Sequence, residues 1–198
     1  MNILFISGSR NKEGQTARAL KAICRGAESA GAVTETIFLP LMRIKLCQQC
    51  DSDGWGKCRS EGYCILEDDF EGILKKIQAA SFVVLATPVY FGDISERMRA
   101  FLDRYRRVNF PKLMKGIAGE SKPAVCLCYA GGSGNGTGSC MASLERAVQG
   151  CGFDVVDLIP LRRQNLEAKI VALEIEGKWL SSKPTSGPPW HPPETEEK

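Results

Sequence analysis

With 198 residues the chain has the length of one large domain, and 43% hydrophobic with 25% charged residues excludes a collagenous, wholly disordered or bilayer-spanning polypeptide. The 26 basic and 23 acidic side chains leave +3, a charge too weak and too scattered for a nucleic-acid surface or an anionic membrane, so neither partner is expected. Met1-Asn2-Ile3-Leu4-Phe5-Ile6 carries no basic residue ahead of a short apolar run and does not read as an export signal. That predicts a cytoplasmic protein whose nine cysteines are reduced or metal-bound rather than a disulfide framework.

Asn2–Ile6 is a continuous apolar run ending in Ser-Gly-Ser, which suits a strand buried on both faces of a parallel sheet. From Gly14 to Ala30 the residues Ala17, Leu20, Ala22, Ile23 and Ala27 recur at helical spacing, and Gly31 supplies a C-cap. Val33 to Leu39 alternates into a second strand, stopped by Pro40. The cysteine-bearing stretch Leu46 to Leu66, with its glycines and charges, reads as an ordered loop. Asp68 and Asp69 open a helix through Phe70, Ile73, Leu74 and Ile77, their carboxylates matched to its positive N-terminal end. Phe82–Ala86 is a third strand, Ser95 to Arg107 a helix, Val125–Tyr129 a fourth strand, Thr137 to Cys151 a helix, Phe153–Ile159 a fifth strand and Leu166 to Leu180 a last helix. Strands alternating with helices imply right-handed crossovers and an α/β fold, a five-stranded parallel sheet covered on both faces. The domain is expected over residues 1–180. Residues 181–198 form a proline-rich C-terminal tail, with five of the ten prolines in the last fifteen positions.

In an open parallel sheet ligands bind at the carboxyl ends of the strands, so the loops after the first, third and fourth strands are the candidates. Ser7 to Thr16 is rich in hydroxyls and leads into a helix N-terminus, where free amides, Ser9, Thr16 and Arg10 suit a phosphate, or where Ser9 or Thr16 simply caps the helix. Thr87 to Asp93 carries two adjacent aromatics between a proline and a glycine, a turn against which a flat ring can lie. Ala130 to Gly138 has five glycines in nine positions, which lets backbone approach a ligand closely. Together the three loops fit a mononucleotide with a flat ring.

At these residues the chain resembles the flavodoxin-like NAD(P)H-dependent FMN reductase family, which includes the iron–sulfur flavoproteins. The resemblance runs through Gly8-Ser9-Arg10 to Thr16, Thr87-Pro88-Val89-Tyr90-Phe91-Gly92 and Phe101-Leu102-Asp103-Arg104, over roughly Met1 to Leu161. It implies a flavodoxin-like strand order 2-1-3-4-5, with the FMN phosphate held by Ser9, Arg10, Gln15 and Thr16. The ring system is then held by Pro88, Val89, Tyr90, Phe91 and Gly92, with Gly131, Gly132, Ser133 and Gly134. It further implies NAD(P)H as co-substrate, chemistry carried by the flavin rather than a catalytic side chain, a small-molecule or protein electron acceptor, and a homodimer or homotetramer.

Cys47-x2-Cys50-x7-Cys58-x5-Cys64 places four thiols within eighteen residues, and His191 is too distant in the chain to join them. The resemblance puts the cysteine motif of the iron–sulfur flavoproteins between the second strand and Asp68-Asp69. Here the seven residues from Asp51 to Lys57 widen one gap beyond the spacing usual for that cluster. Four readings stand: a [4Fe–4S] cluster, a closed zinc site, a redox dithiol at Cys47 and Cys50, or plain reduced thiols in a substrate-side loop. Cys24, Cys126, Cys128, Cys140 and Cys151 fall at apolar positions as small core residues. Arg104, Arg106 and Arg107 read as a complement to a helix end or a solvent face, and a single histidine leaves no Ser/His/Asp triad. Two redox roles compete, a reductase fed by NAD(P)H and an electron carrier fed by a protein. The basic pI, ≈ 8.4, is unlike that of acidic flavodoxin-type carriers. A non-enzymatic binding protein with a vacated site is the third role.

Overall fold

A computed structural model describes residues 1–114 and 121–182, without the side chains of residues 112 and 113. The elements run β1 (Asn2–Ser7), α1 (Gln15–Ser29), β2 (Val33–Phe38), α2 (Lys57–Ser60), α3 (Phe70–Ala79), β3 (Phe82–Tyr90), β4 (Asp93–Ile94), α4 (Glu96–Met114), β5 (Lys122–Ala130), α5 (Thr137–Gln149), β6 (Phe153–Arg162) and α6 (Leu166–Leu180). The sheet order is β2-β1-β3-β5-β6, every neighbouring pair parallel. This is the expected flavodoxin-like order. The addition is β4, two residues paired antiparallel to the end of β3.

The central strands carry uninterrupted apolar runs, Ile3–Ile6, Phe82–Ala86 and Ala124–Cys128, because both faces are covered, and the alternation of side chains divides them between two cores. Leu4, Ile6, Val83, Leu85, Cys126 and Cys128 point toward α3, α4 and α5, where they meet Phe70, Ile73, Phe101, Leu144 and Val148. Ile3, Phe5, Val84, Ala86, Val125 and Leu127 point the other way, onto α1 and α6. Cys126, Cys128, Cys140 and Cys151 are fully buried as expected, whereas Cys24 is half-buried.

Element ends differ from the sequence pattern where a neighbour supplies what local propensity withholds. β3 runs four residues past Ala86, because Thr87 and Pro88 pair with Cys128 and Tyr129 of β5, and Val89 and Tyr90 pair with β4. The third strand's loop is therefore partly strand, despite a proline that cannot donate to the ladder. α4 continues beyond Arg107 through Pro111. Leu39 ends the second strand early by turning with Pro40 and Leu41 into a 3₁₀ turn. From residue 183 on, the proline-rich tail lies outside the described residues. Among those described, no helix is long and apolar enough to cross a membrane.

The α1–α6 contact depends on two glycines. A Cβ on Gly26 would fall 1.9 Å from the Glu174 carbonyl oxygen, and one on Gly177 would fall 2.0 Å from that of Ile23, so the helices touch backbone to backbone. Both obstructing atoms are main chain and cannot swing aside. Gly177→Ala is accordingly expected to cost about 1–3 kcal/mol through overpacking. At roughly 2–4 °C per kcal/mol for a chain of this size, calorimetry should show a lower melting midpoint; an unchanged midpoint would contradict this packing.

Candidate functional site

The carboxyl ends of β3 and β5, with the start of α1, surround a cleft of ≈ 630 Å³. The same strand ends are tied together by a buried polar knot. The Gly8 amide donates to Ala86 O at 2.8 Å, Ser95 Oγ donates to Gly8 O at 3.2 Å, and the Ser95 amide donates to Thr87 Oγ1 at 2.9 Å. A Cβ on Gly8 would stand 2.4 Å from Ser95 Oγ, so only glycine allows this approach. Ser95 Oγ also accepts the Met98 amide at 3.4 Å, the bond of a helix N-cap, which starts α4. The first loop, β3 and α4 are thus fixed relative to one another.

Across the cleft, Gly92 and Gly136 both have left-handed φ, +76° and +78°. A Cβ on Gly136 would lie 2.7 Å from Gly92 Cα, and Ser139 Oγ donates to Gly92 O at 2.7 Å, so the aromatic turn and the glycine-rich loop are locked together. Gln164 Nε2 braces that loop from the β6–α6 connection by donating to Ser133 O at 2.8 Å. Phe91 has φ +51°, unfavourable for a bulky residue, and its ring is fully exposed beside Tyr90. The N-cap of α1 is Gly14, which offers no side-chain cap, and the first turn has no acidic residue, which leaves the helix's positive end open to an anion.

Ten of the thirteen residues proposed for the cofactor line this one cleft: Gln15 and Thr16, Pro88 through Gly92, and Gly131, Gly132 and Ser133. Ser9 and Arg10 precede it on the first loop, half-buried and exposed respectively, and Gly134 is buried behind Ser133; these three are not part of its wall. Tyr129, Ala130, Asn135 and Gly136 also line it. The last two belong to the same glycine-rich run and could have been taken with it. Tyr129 and Ala130 end a strand, and the apolar pattern gives no sign that they face a ligand.

The four cysteines of the loop between β2 and α3 also come together. Cys47, Cys50, Cys58 and Cys64 all line a second cavity, ≈ 20 Å³, with Trp55 and Arg104 in its wall. The wide Cys50–Cys58 gap closes on itself: the Asp51 amide donates to Trp55 O and the Gly54 amide to Asp51 O, both at 2.8 Å. Trp55 then packs on Phe110, ring centroids 4.8 Å apart, while Arg107 lies over its ring and donates to Gly54 O at 2.6 Å. The inserted residues are a turn pinned to α4, and the cysteines on either side face one space. The Cys50 thiol is pushed up first by burial and then by the thiols of Cys64, Cys47 and Cys58, so the four are within electrostatic reach. Among the described residues no three His, Cys, Asp or Glu groups gather as a site for a single metal ion.

Arg104 contradicts its reading as a helix-end or solvent-facing residue. It is 1% exposed and forms a buried ion pair with Asp68, Nη1 to Oδ2 at 2.5 Å and Nη2 to Oδ1 at 3.1 Å, while Nη2 also donates to Cys64 Sγ at 3.3 Å. Asp68 serves α3 as expected by accepting the Phe70 amide at 3.1 Å, but it also accepts that of Lys45 at 2.7 Å. Burial alone would raise the Asp68 carboxyl; Arg104 and the two amides outweigh it and hold the group below its ordinary value.

The pattern that defines the NADPH-dependent FMN reductases matches residues 1–172. The chain belongs to that family. Among its relatives within and around the FMN reductase family, an iron-sulfur flavoprotein of Methanosarcina thermophila is 33% identical over 113 residues, 56% of this chain and 56% of that protein. One from Methanocaldococcus jannaschii is 34% identical over 112 residues, 56% and 55% of the two chains. The chain therefore spans about half the length of the curated relatives it matches. Its fold is that of the NAD(P)H:quinone oxidoreductase from Methanothermobacter marburgensis, TM-score 0.67 at 18% identity over 91% of this chain and 96% of that one. A flavone reductase superposes with TM-score 0.65 at 19% identity, over 92% and 62%.

Removing Asp68 strands a buried guanidinium, and Asp68→Asn is expected to cost about 3–5 kcal/mol. Because the carboxyl is depressed in the folded state, its contribution is complete above the unfolded value near 3.8 and disappears as pH falls through the lower folded value. Denaturant titrations of wild type and variant should differ by a constant amount at neutral pH and converge below about pH 4; a gap that persists or widens in acid would contradict the assigned ion pair.

Proposed function

We propose that this member of the FMN reductase family holds FMN across the cleft and acts as an oxidoreductase, taking electrons from NAD(P)H and delivering them to a second acceptor. The observation that carries the reading is the convergence of the uncapped α1 N-terminus, the Pro88–Gly92 turn and the glycine-rich loop on one cleft. Gln15, Thr16 and the first-turn amides, with Ser9 and Arg10 from the loop before them, are the phosphate end. Backbone groups of Val89 to Gly92 and of Gly131 to Ser133 are placed to meet the edge of a flat ring. Bound there, FMN supplies acceptance of hydride from a nicotinamide and release of electrons to the acceptor, and no protein acid or base is needed. Tyr90 and Phe91, exposed at the rim, are where a neighbouring copy in a homo-oligomer closes the site.

The cysteine cavity favours a second reading, an iron–sulfur flavoprotein that exchanges electrons with a protein partner. The four thiols that line this cavity match the donor set of a [4Fe–4S] cluster, and the buried Arg104 Nε, which has no hydrogen-bond partner, is a donor suited to a sulfur acceptor. The present space of ≈ 20 Å³ is smaller than such a group, and Cys50 is the one of the four that is exposed, the others being half-buried. A cluster there would supply single-electron relay, with Cys47, Cys50, Cys58 and Cys64 as the residues that would hold it.

Protein purified without oxygen is expected to be yellow and to bleach on addition of NADPH; failure to take up FMN would reject the proposal. Arg10→Ala and Thr16→Val should each weaken FMN binding by about tenfold to a hundredfold, the loss of one charge-assisted hydrogen bond, as read by flavin fluorescence. Iron and acid-labile sulfide assays test the second reading. Reduction by a reduced ferredoxin but not by nicotinamides would favour the carrier over the reductase.

A further inference from the structure

We infer that Arg104 is a positioning residue for a cluster in the cysteine pocket, fixing Cys64 and raising the reduction potential of that cluster; the inference rests on the iron–sulfur reading of the pocket. Three of the guanidinium's bonds anchor it to the fold: two to Asp68 and one from Nη1 to Lys45 O at 3.1 Å. Phe70 supports it from below, its ring centroid 4.1 Å from the guanidinium carbon. Those contacts would satisfy a residue whose only task was to clamp the loop to α4. Arg104 does two further things. It donates from Nη2 to Cys64 Sγ at 3.3 Å, and it keeps Nε buried with no acceptor while forming part of the wall that the four thiols share. Buried donors are almost always paired, and a sulfur of a bound cluster is the acceptor this one lacks.

The electronic consequence follows from charge. A cluster that gains one electron gains one negative charge, with no bond made or broken and no proton moved; in the test dithionite supplies the electron. Hydrogen bonds donated to cluster and ligand sulfurs stabilise the more negative form and raise the potential. Asp68 balances the positive charge of Arg104, so removing one partner or the other should shift the potential in opposite directions. A merely structural clamp predicts no such reversal.

The test uses the full chain, reconstituted anaerobically with ferrous iron and sulfide, with folding followed by circular dichroism and the midpoint by titration with dithionite under electron paramagnetic resonance. Loaded Arg104→Gln is expected to disfavour the reduced form about tenfold, a midpoint about 59 mV more negative. Asp68→Asn should shift it the other way, and Arg104→Lys, which keeps the charge but loses the planar fork, should fall between wild type and the glutamine variant. Equal midpoints in wild type and loaded Arg104→Gln, or shifts of one sign in Arg104→Gln and Asp68→Asn, overturn the inference. Where Arg104→Gln does not fold, Arg104→Lys decides: a midpoint below wild type supports the inference and an unchanged one overturns it. A wild-type chain that takes up no iron rejects the iron–sulfur reading and the inference with it, whereas loaded variants with an unmoved midpoint reject the inference alone.

Discussion

A full positive charge buried at 1% exposure constrains everything around it, and Arg104 is that charge. Taking a guanidinium out of water is tolerable only with an opposed carboxylate and enough acceptors to fill its fork. Asp68 meets the first requirement and thereby fixes where the loop after β2 re-enters the fold: its carboxylate also accepts the amides of Lys45 and Phe70, one on the way into the cysteine loop and one at the start of α3. One ion pair therefore closes the loop, begins a helix and holds a cysteine. The rest of the loop is held apart from this pair, by Trp55 on Phe110 and Arg107 on Gly54, while surface pairs such as Arg59–Asp53, both more than half exposed, contribute little.

The cleft obeys a different constraint, close approach to glycine backbone. Gly8 against Ser95 and Gly136 against Gly92 leave no room for a Cβ, and these two contacts join three separate chain segments. The Gly136 contact is main chain on main chain, and the Gly8 contact is main chain on a Ser95 hydroxyl held by its own hydrogen bond to Gly8 O, so neither gives way easily. The strained exposure of Phe91 fits the same picture, since a left-handed bulky residue persists only where the turn around it is over-determined.

How much of this was legible in the sequence follows from range. The parallel sheet was readable because strands buried on both faces must be apolar without interruption, and α6 begins and ends at Leu166 and Leu180 as its periodicity indicates. The cleft was readable for the same local reason: each of its three loops announces itself by glycine, proline or hydroxyl content. β4 and the last four residues of β3 were not, because a strand containing Thr87-Pro88 exists only by virtue of β5 and the hairpin beside it. The Asp68–Arg104 pair spans 36 residues and carries no local signal; Asp68 looked like a helix-end carboxylate and Arg104 like one of a basic run. The cysteine spacing shows the same limit of range. A count gives Asp51 to Lys57 only as a length of chain, and does not show that the Asp51–Trp55 hydrogen bond closes them into a turn.

Helix α4 connects the two sites. Its N-cap, Ser95, is hydrogen-bonded to the first loop, and nine residues later Arg104 grips Cys64. At 1.5 Å rise per residue those two points lie roughly 14 Å apart along the axis, and both are buried. A rigid helical stretch anchored at Ser95 and at Arg104 by buried hydrogen bonds fixes the separation of the two sites far better than the loop could. The Phe101-Leu102-Asp103-Arg104 run lies on this helix, with Phe101 and Leu102 in the core and Arg104 at the cysteine pocket. That short run of sequence thus belongs to both sites: its apolar members hold the helix against the sheet that carries the cleft, and its arginine sets the position of a thiol.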